Sequence, residues 1–160
     1  MQKIPLACAW LAAGESGYAK AADWQDWAIK RVMAEPNPPT WLYELCTTVD
    51  REGLWRVLGP VIEQEQQAGA ERETIDNAIL GYYWLRFERA EFDLNKCLYT
   101  AGCHADTYDT SVNDWEFYRL CTGLDDDPES KRLAQRDAEK LFAPFVSTAQ
   151  EQWRALQEAA

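Results

Sequence analysis

The chain has 160 residues, a length that one domain with its own hydrophobic core can account for. Hydrophobic residues make up 47% of it and aromatic residues 12%, which excludes a disordered protein. The net charge of −11 argues against direct binding to nucleic acid or to an anionic membrane, because phosphate groups are neutralised by clustered Lys and Arg. We therefore expect either a basic partner or an acidic surface that serves solubility alone.

The first third of the chain carries apolar residues at helical spacing. A first helix is predicted over residues 4–13, with Pro5 in its first turn and Gly14 as its stop. A second helix is predicted over residues 21–34, where a run of prolines ends it. The stretch that follows Lys3 also has the composition of a secretory h-region, so secretion stays open beside the expected cytoplasmic location.

Two further helix starts follow the proline run. Thr40 is predicted to cap a short third helix, and Asp50 is predicted to cap a fourth. Gly59 and Pro60 should kink or split that fourth helix. The apolar residues predicted to face inward are Leu42, Leu45, Cys46 and Val49 in the third helix and Leu54, Val57, Leu58 and Val61 in the fourth.

Residues 75–87, with the sequence IDNAILGYYWLRF, are apolar on nearly every helical face. A helix of this kind belongs in the centre of a domain, with other helices packed on several sides. At 13 residues the stretch is too short to span a bilayer. We therefore predict that Asp76 to Phe87 forms the central and most buried helix.

The remaining helices are predicted from their starts. Asp93 should cap a sixth helix that ends near Gly102, followed by a polar loop over residues 103–110. Ser111 should begin a seventh helix as a variant capping box. The final helix should begin at Asp127, and Pro144 should bend it.

No stretch alternates like a β-strand. The sequence therefore predicts an all-α protein, a single compact domain over residues 1–160 with about eight helices around the central one.

Few residues point to catalysis or metal binding. The five cysteines lack a C-x-x-C spacing, and three of them lie on apolar helical faces, which favours thiols in a reducing cytoplasm. Cys103 and the single histidine, His104, supply too few ligands for an ordinary metal site. We therefore expect no enzyme, no metal and no cofactor. A small enzyme that uses Cys103 with His104, or a pair of carboxylates, remains the alternative.

Residues 104–130 are the most asymmetric stretch, with eight carboxylates against Arg119 alone and with interleaved aromatic residues. Acids that steer encounter and aromatics that anchor contact suit docking on a basic protein. The alternative is that the acids cap helices and the aromatics belong to the core. The residues predicted to form the docking surface are Asp106, Asp109, Trp115, Glu116, Asp125 and Asp126.

Three stretches resemble a family of small helical bacterial proteins thought to act as immunity proteins in polymorphic toxin systems. They are DWQDWAIKRV and PPTWLYEL within residues 23–45, ILGYYWLRFERAEFDL at residues 79–94, and AGCHAD at residues 101–106. The resemblance extends, with gaps, from Asp23 to Leu120 and brings no catalytic residues with it. It implies an all-helical cytoplasmic protein that binds and neutralises a secreted toxin.

Together these observations favour a non-enzymatic inhibitor of a cognate toxin, one whose basic nuclease-type cleft the acidic surface would occupy. The partner expected is a basic protein, and the chain itself is expected to be a monomer or a homodimer. Two alternatives of the same class stay open, an acidic adaptor and a DNA-mimic inhibitor of another basic protein. A purely structural helical subunit is the third.

Overall fold

Eight α-helices and no strand are found in the computed structural model, which describes residues 4–124 and 127–159. This confirms the predicted all-α class. The chain divides into two compact units, with boundaries after Glu71 and after Gln150. The helices are α1 (Leu6–Glu15), α2 (Ala21–Ala34), α3 (Thr40–Leu45), α4 (Arg51–Gln67), α5 (Arg72–Glu88), α6 (Leu94–Thr107), α7 (Asp114–Thr122) and α8 (Pro128–Glu158).

Helix α1 is the buried element of the first unit, which comprises α1 to α4 and the last turns of α8. Every residue from Ala7 to Gly14 is buried. The Trp10 ring meets the ring of Trp27 at 5.4 Å and that of Trp153 at 5.9 Å between centroids. Glu65 of α4 accepts backbone hydrogen bonds from Ala7 and Cys8, so a neighbouring helix supplies the carboxylate at this N-terminus.

The prediction that Gly14 ends the first helix was wrong. Gly14 lies inside α1 and packs directly against the Leu54 side chain of α4, where a Cβ atom would overlap it. The chain turns instead at Gly17, whose φ of 77° is the left-handed conformation that glycine adopts readily. Gly14 is therefore a helix-packing residue rather than a helix stop.

Helix α2 has the predicted bounds, and Asp50 caps α4 as predicted by accepting from the Gly53 N–H at 2.7 Å. Thr40 was wrongly predicted as a cap, because Pro39 occupies that position and Thr40 is the first helical residue. Since α3 ends at Leu45, the expected inward residue Val49 lies beyond it and is 71% exposed. Helix α4 is not split and continues through Pro60.

The second unit is built on α5, with α6, α7 and the greater part of α8. Leu80 and Trp84 of α5 join a buried cluster, in which Trp84 stacks on Phe142 of α8 at 5.1 Å and Phe142 meets Phe117 of α7 at 5.2 Å. Nine residues of α5 are buried, as expected of a central helix. The prediction that it would be the most buried helix was wrong, because eight of the ten residues of α1 are buried.

Helix α6 departs most from the prediction. Its cap at Asp93 is confirmed by a 2.7 Å hydrogen bond from the Lys96 N–H, but the helix continues past Gly102 to Thr107. Residues 103–107, expected in a loop, are therefore helical. Gly102 lies beneath the Tyr118 ring of α7, where a Cβ atom would overlap the ring.

Ser111 does not begin α7. Its hydroxyl donates to Glu73 at 2.6 Å, and Asn113 caps the helix by accepting from the Trp115 N–H at 3.0 Å. Asp127 does cap α8, since its carboxylate accepts from the Ser130 N–H at 3.1 Å. No helix within the described part of the chain is both long and apolar enough to cross a membrane.

The five cysteines are all thiols. Burial raises the pKa of Cys97 to about 12, so this thiol behaves as a small apolar side chain of the core. Cys103 is exposed on α6.

Gly81 offers a test of the packing in the second unit. A Cβ atom there would overlap the backbone carbonyl of Phe145, which cannot move without moving α8. We expect Gly81→Ala to lower the free energy of unfolding by about 2 kcal/mol or more, measured in urea.

Gly59→Ala is the matched control, since it is the same substitution inside α4 and its Cβ atom would meet nothing within 4 Å. It should raise stability by roughly 0.5–1 kcal/mol through helix propensity alone. Equal effects of the two substitutions would contradict a close approach at Gly81.

Candidate functional site

Helices α6 and α7 pack on each other and present most of the predicted docking residues to solvent. Asp106 lies exposed on the last turns of α6, and Asp109 is exposed in the connection to α7. Trp115 is 61% exposed, and the Glu116 side chain is 40% exposed. Asp125 and Asp126 lie outside the described residues.

Tyr118 holds the two helices together at this surface. Its hydroxyl donates to Cys103 Sγ at 3.5 Å, and its ring meets that of Tyr99 at 6.1 Å. The hydrogen bond to Cys103 raises the pKa of Tyr118 well above its usual value, and the nearby carboxylates of Asp106 and Asp114 add to the shift. The structure thus brings one acid from each helix beside the same phenol.

Trp115 and Arg119 lie one turn apart on α7, with the guanidinium 5.7 Å from the indole ring. Arg119 also pairs with Glu116 at 3.3 Å. The one basic residue of the segment is therefore engaged by its own neighbours. We define the acidic-aromatic face as Tyr99, Asp106, Asp114, Trp115, Glu116 and Tyr118.

A buried polar cluster, not foreseen from the sequence, lies next to this face. Asp76 of α5 is 2% exposed, and its Oδ1 lies 3.6 Å from Nε2 of His104, which is 8% exposed. Asp76 Oδ2 lies 3.6 Å from Arg72 Nε one turn away. Tyr108 packs on the imidazole at 4.8 Å between centroids. Burial raises the pKa of Asp76, and the nearby carboxylate of Asp109 adds to this rise.

The cluster contains a neutral histidine at physiological pH. Burial is the main cause that lowers the pKa of His104. Asp76 opposes this shift and Arg72 adds to it, and the resulting pKa is about 4. Burial also raises the pKa of Asp76, while the Arg72 guanidinium works against that rise. The arrangement is a carboxylate balanced by arginine, with an uncharged imidazole beside it.

Cys103 and His104 face different surroundings. Cys103 is exposed and accepts a hydrogen bond from the Tyr118 hydroxyl, whereas His104 is buried against Asp76 and Tyr108. The sequence did contain a signal for the burial of His104. Leu98, Ala101 and His104 recur at three-residue spacing, and all three are buried on α6.

The pKa of His104 can be measured directly, because it is the one histidine of the chain. We expect its imidazole proton resonance to titrate near pH 4 in NMR spectra. An unfolded histidine titrates near 6.5 and so binds a proton that the folded protein refuses. Stability should therefore fall as the pH falls from about 6.5 to 4, by about 3 kcal/mol at most.

His104→Gln is the control for this loss, since the raised pKa of Asp76 acts with the opposite sign in both proteins. The difference between the two unfolding curves isolates the histidine. Parallel curves, or a resonance that titrates near pH 6.5, would show that His104 is hydrated.

Neither a metal centre nor a family likeness directs the interpretation of this surface. Within residues 4–124 and 127–159, no group of three or more His, Cys, Asp or Glu side chains is placed to hold a metal ion. The chain matches no protein-family model, and no curated protein or solved structure is detectably similar to it. Its function must therefore be inferred from the chemistry of the described side chains.

Proposed function

We propose that the chain is a non-enzymatic immunity protein of the cytoplasm, which binds and neutralises a basic toxin through the acidic-aromatic face. The observation that carries this proposal is the 61% exposure of Trp115 on a surface rich in carboxylates. A large indole left in water on a rigid helix is a typical anchor of a protein interface. A core role for this side chain would have required its burial.

The charge of the face supports a basic partner. Asp106, Asp114 and Glu116 surround exposed aromatic rings, and the chain as a whole carries −11. Like-charged partners would be repelled, whereas a basic surface would be attracted over roughly a Debye length of 8–10 Å. Because Arg119 is engaged by Trp115 and Glu116, it offers little to an acidic ligand.

A nuclease-type toxin fits this chemistry, because a cleft that binds nucleic acid is lined with Lys and Arg. An acidic protein surface with aromatic side chains would occupy such a cleft and exclude the substrate. The same face would also serve an acidic adaptor or a DNA-mimic inhibitor of another basic protein.

The neighbouring gene distinguishes these functions. We expect the reading frame beside this one to encode a large protein that ends in a toxin domain. That domain should arrest growth when produced alone, and co-production of this chain should relieve the arrest. A neighbouring toxin domain that neither binds the chain nor is relieved by it would overturn the proposal, as would a neighbourhood of metabolic genes.

Trp115→Ala tests the anchor in that complex. It should raise the dissociation rate and cost about 2 kcal/mol or more of binding, while the melting temperature stays unchanged. Tyr43→Ala is the matched control, because Tyr43 is an aromatic of similar exposure, 52%, in the first unit. Surface-plasmon kinetics and thermal unfolding on both variants separate an anchor from a stabilising residue. Equal dissociation rates would place the interface elsewhere.

The double change Asp106→Asn with Asp109→Asn tests steering. Both residues are exposed and neither caps a helix. The variant should associate more slowly with the toxin and show a weaker dependence on salt, with little change in dissociation. The control neutralises two exposed acids of the first unit, Asp26→Asn with Glu63→Gln. Association rates that fall equally in both variants would reveal only an effect of net charge.

A further inference from the structure

An open cleft of about 880 Å³ lies within the first unit, along the outer side of α4. One side is α4 from Gly53 to Gln64, and the other is α3 with the turn that follows it. At a rise of 1.5 Å per residue, that length of α4 extends about 16 Å, or three helical turns.

Apolar side chains line the middle of this cleft. Val57 and Val61 lie one turn apart on α4, with Trp41 and Val49 on the opposite side. Trp41 is half-buried and stacks on Trp27 at 6.3 Å, so its position is fixed by the core. Val49 is 71% exposed. Since Val57 is buried, the apolar surface that the cleft offers to solvent comes from Val49, Val61 and Trp41.

The turn that forms one wall is held in place by buried hydrogen bonds. The Thr48 carbonyl accepts from Trp24 Nε1 and from Gln25 Nε2, each at 2.8 Å. The Thr48 hydroxyl donates to the Glu44 carbonyl at 2.9 Å. A ligand would therefore find the wall already formed and would not bear the entropic cost of ordering it.

Helix α4 lacks one backbone hydrogen bond along the cleft. Proline has no N–H, so Pro60 cannot donate to the Arg56 carbonyl four residues earlier, although the helix continues through both. Both residues are exposed and line the cleft.

The ionisable side chains of the cleft select a cationic ligand. Glu44, Asp50 and Glu52 line it against Arg56 alone, and Asp50 is occupied as the cap of α4. Among the described residues, Glu44 and Glu52 form no ion pair. A second copy of this chain would bring another −11 charges to the same place, which disfavours a homodimer here.

We propose that this cleft docks a basic amphipathic helix of a protein partner. Apolar residues at i, i+3, i+4 and i+7 would contact Val49, Val61 and Trp41. Lys or Arg on the flanks would pair with Glu44 and Glu52, and one such side chain would donate to the Arg56 carbonyl. Because a helix satisfies its own backbone N–H groups, that donor is a side chain. The residues of this cleft belong to the first unit and those of the acidic-aromatic face to the second, and the proposal does not depend on the proposed function.

The probe is a fluorescently labelled synthetic peptide of three to four turns, with Leu at i, i+3, i+4 and i+7 and Lys at the remaining positions. A second peptide carries Glu in place of Lys. By fluorescence anisotropy, the Lys peptide should bind the full chain at least tenfold more tightly than the Glu peptide. Equal binding of the two peptides would overturn the proposal.

Val49→Lys and Met33→Lys separate the cleft from a general charge effect. Both replace an exposed apolar side chain of the first unit with lysine, and Met33, at 82% exposure, does not line the cleft. Val49→Lys should weaken binding of the Lys peptide at least tenfold, whereas Met33→Lys should change the affinity for this peptide less than twofold. Equal losses in the two lysine variants would overturn the proposal.

Pro60→Ala tests the proposed role of the Arg56 carbonyl. Alanine restores the N–H that α4 lacks at this point, so the melting temperature should rise while the Lys peptide binds several-fold more weakly. A higher melting temperature with unchanged affinity would overturn the assigned role of the Arg56 carbonyl.

Discussion

The second unit depends on how closely two helices approach at Gly81. The α5 backbone meets the Phe145 carbonyl of α8 there with no side chain between them. This contact brings Trp84 of α5 within stacking distance of Phe142, which in turn contacts Phe117 of α7. The aromatic core is therefore one connected set of rings, and it fixes the register of the helix that carries Trp115 outward. The exposed position of Trp115 therefore depends on a contact in the core.

Polar side chains at the start of α5 also fix the position of the chain that leads into α7. Asn77 exchanges hydrogen bonds with Ser111 through its side-chain oxygen, at 2.9 Å, and nitrogen, at 2.7 Å, while Glu73 accepts from the Ser111 hydroxyl. These bonds fasten the connection between α6 and α7 to α5. Asp76 and His104 lie at the buried side of the same region. Burying a carboxylate is costly unless a positive charge balances it, and Arg72 supplies that charge one turn away. The result is a polar region that holds the connection in one conformation beside the acidic-aromatic face.

The sequence predicts most helices because local signals and tertiary packing agree along most of the chain. Asp50, Asp93 and Asp127 each cap the helix expected of them, and the apolar spacing identifies buried residues such as Leu42, Leu45, Leu54 and Leu58, although Val49 is exposed. Two of the failures share one cause. Gly14 and Gly102 look like helix stops in the sequence, but each is a point of close approach to a neighbouring side chain, Leu54 and Tyr118 respectively. A glycine selected for its lack of a Cβ atom cannot be told from one selected for its backbone freedom without the partner in view. Because α6 continues past Gly102, His104 lies on a buried helical face and not in a loop. No local sequence signal indicates that His104 lies beside Asp76, which is 28 positions away in the chain.

The register of α7 determines which of its side chains are buried and which are exposed, and the composition alone could not show this. Aromatic residues interleaved with acids are compatible with a core helix and with a docking surface, and residues 114–122 contain both. Phe117 and Leu120, three residues apart, are buried, whereas Trp115 and Arg119, four apart, lie outside. Tyr118 lies between these two sides and contacts α6. The nine-residue helix α7 therefore buries its aliphatic and phenyl side chains in the core and exposes its indole to solvent. An exposed indole loses the hydrophobic gain that burial in the core would have given it. Docking against a partner is the event that would recover that free energy, and the surrounding carboxylates restrict which partners reach it.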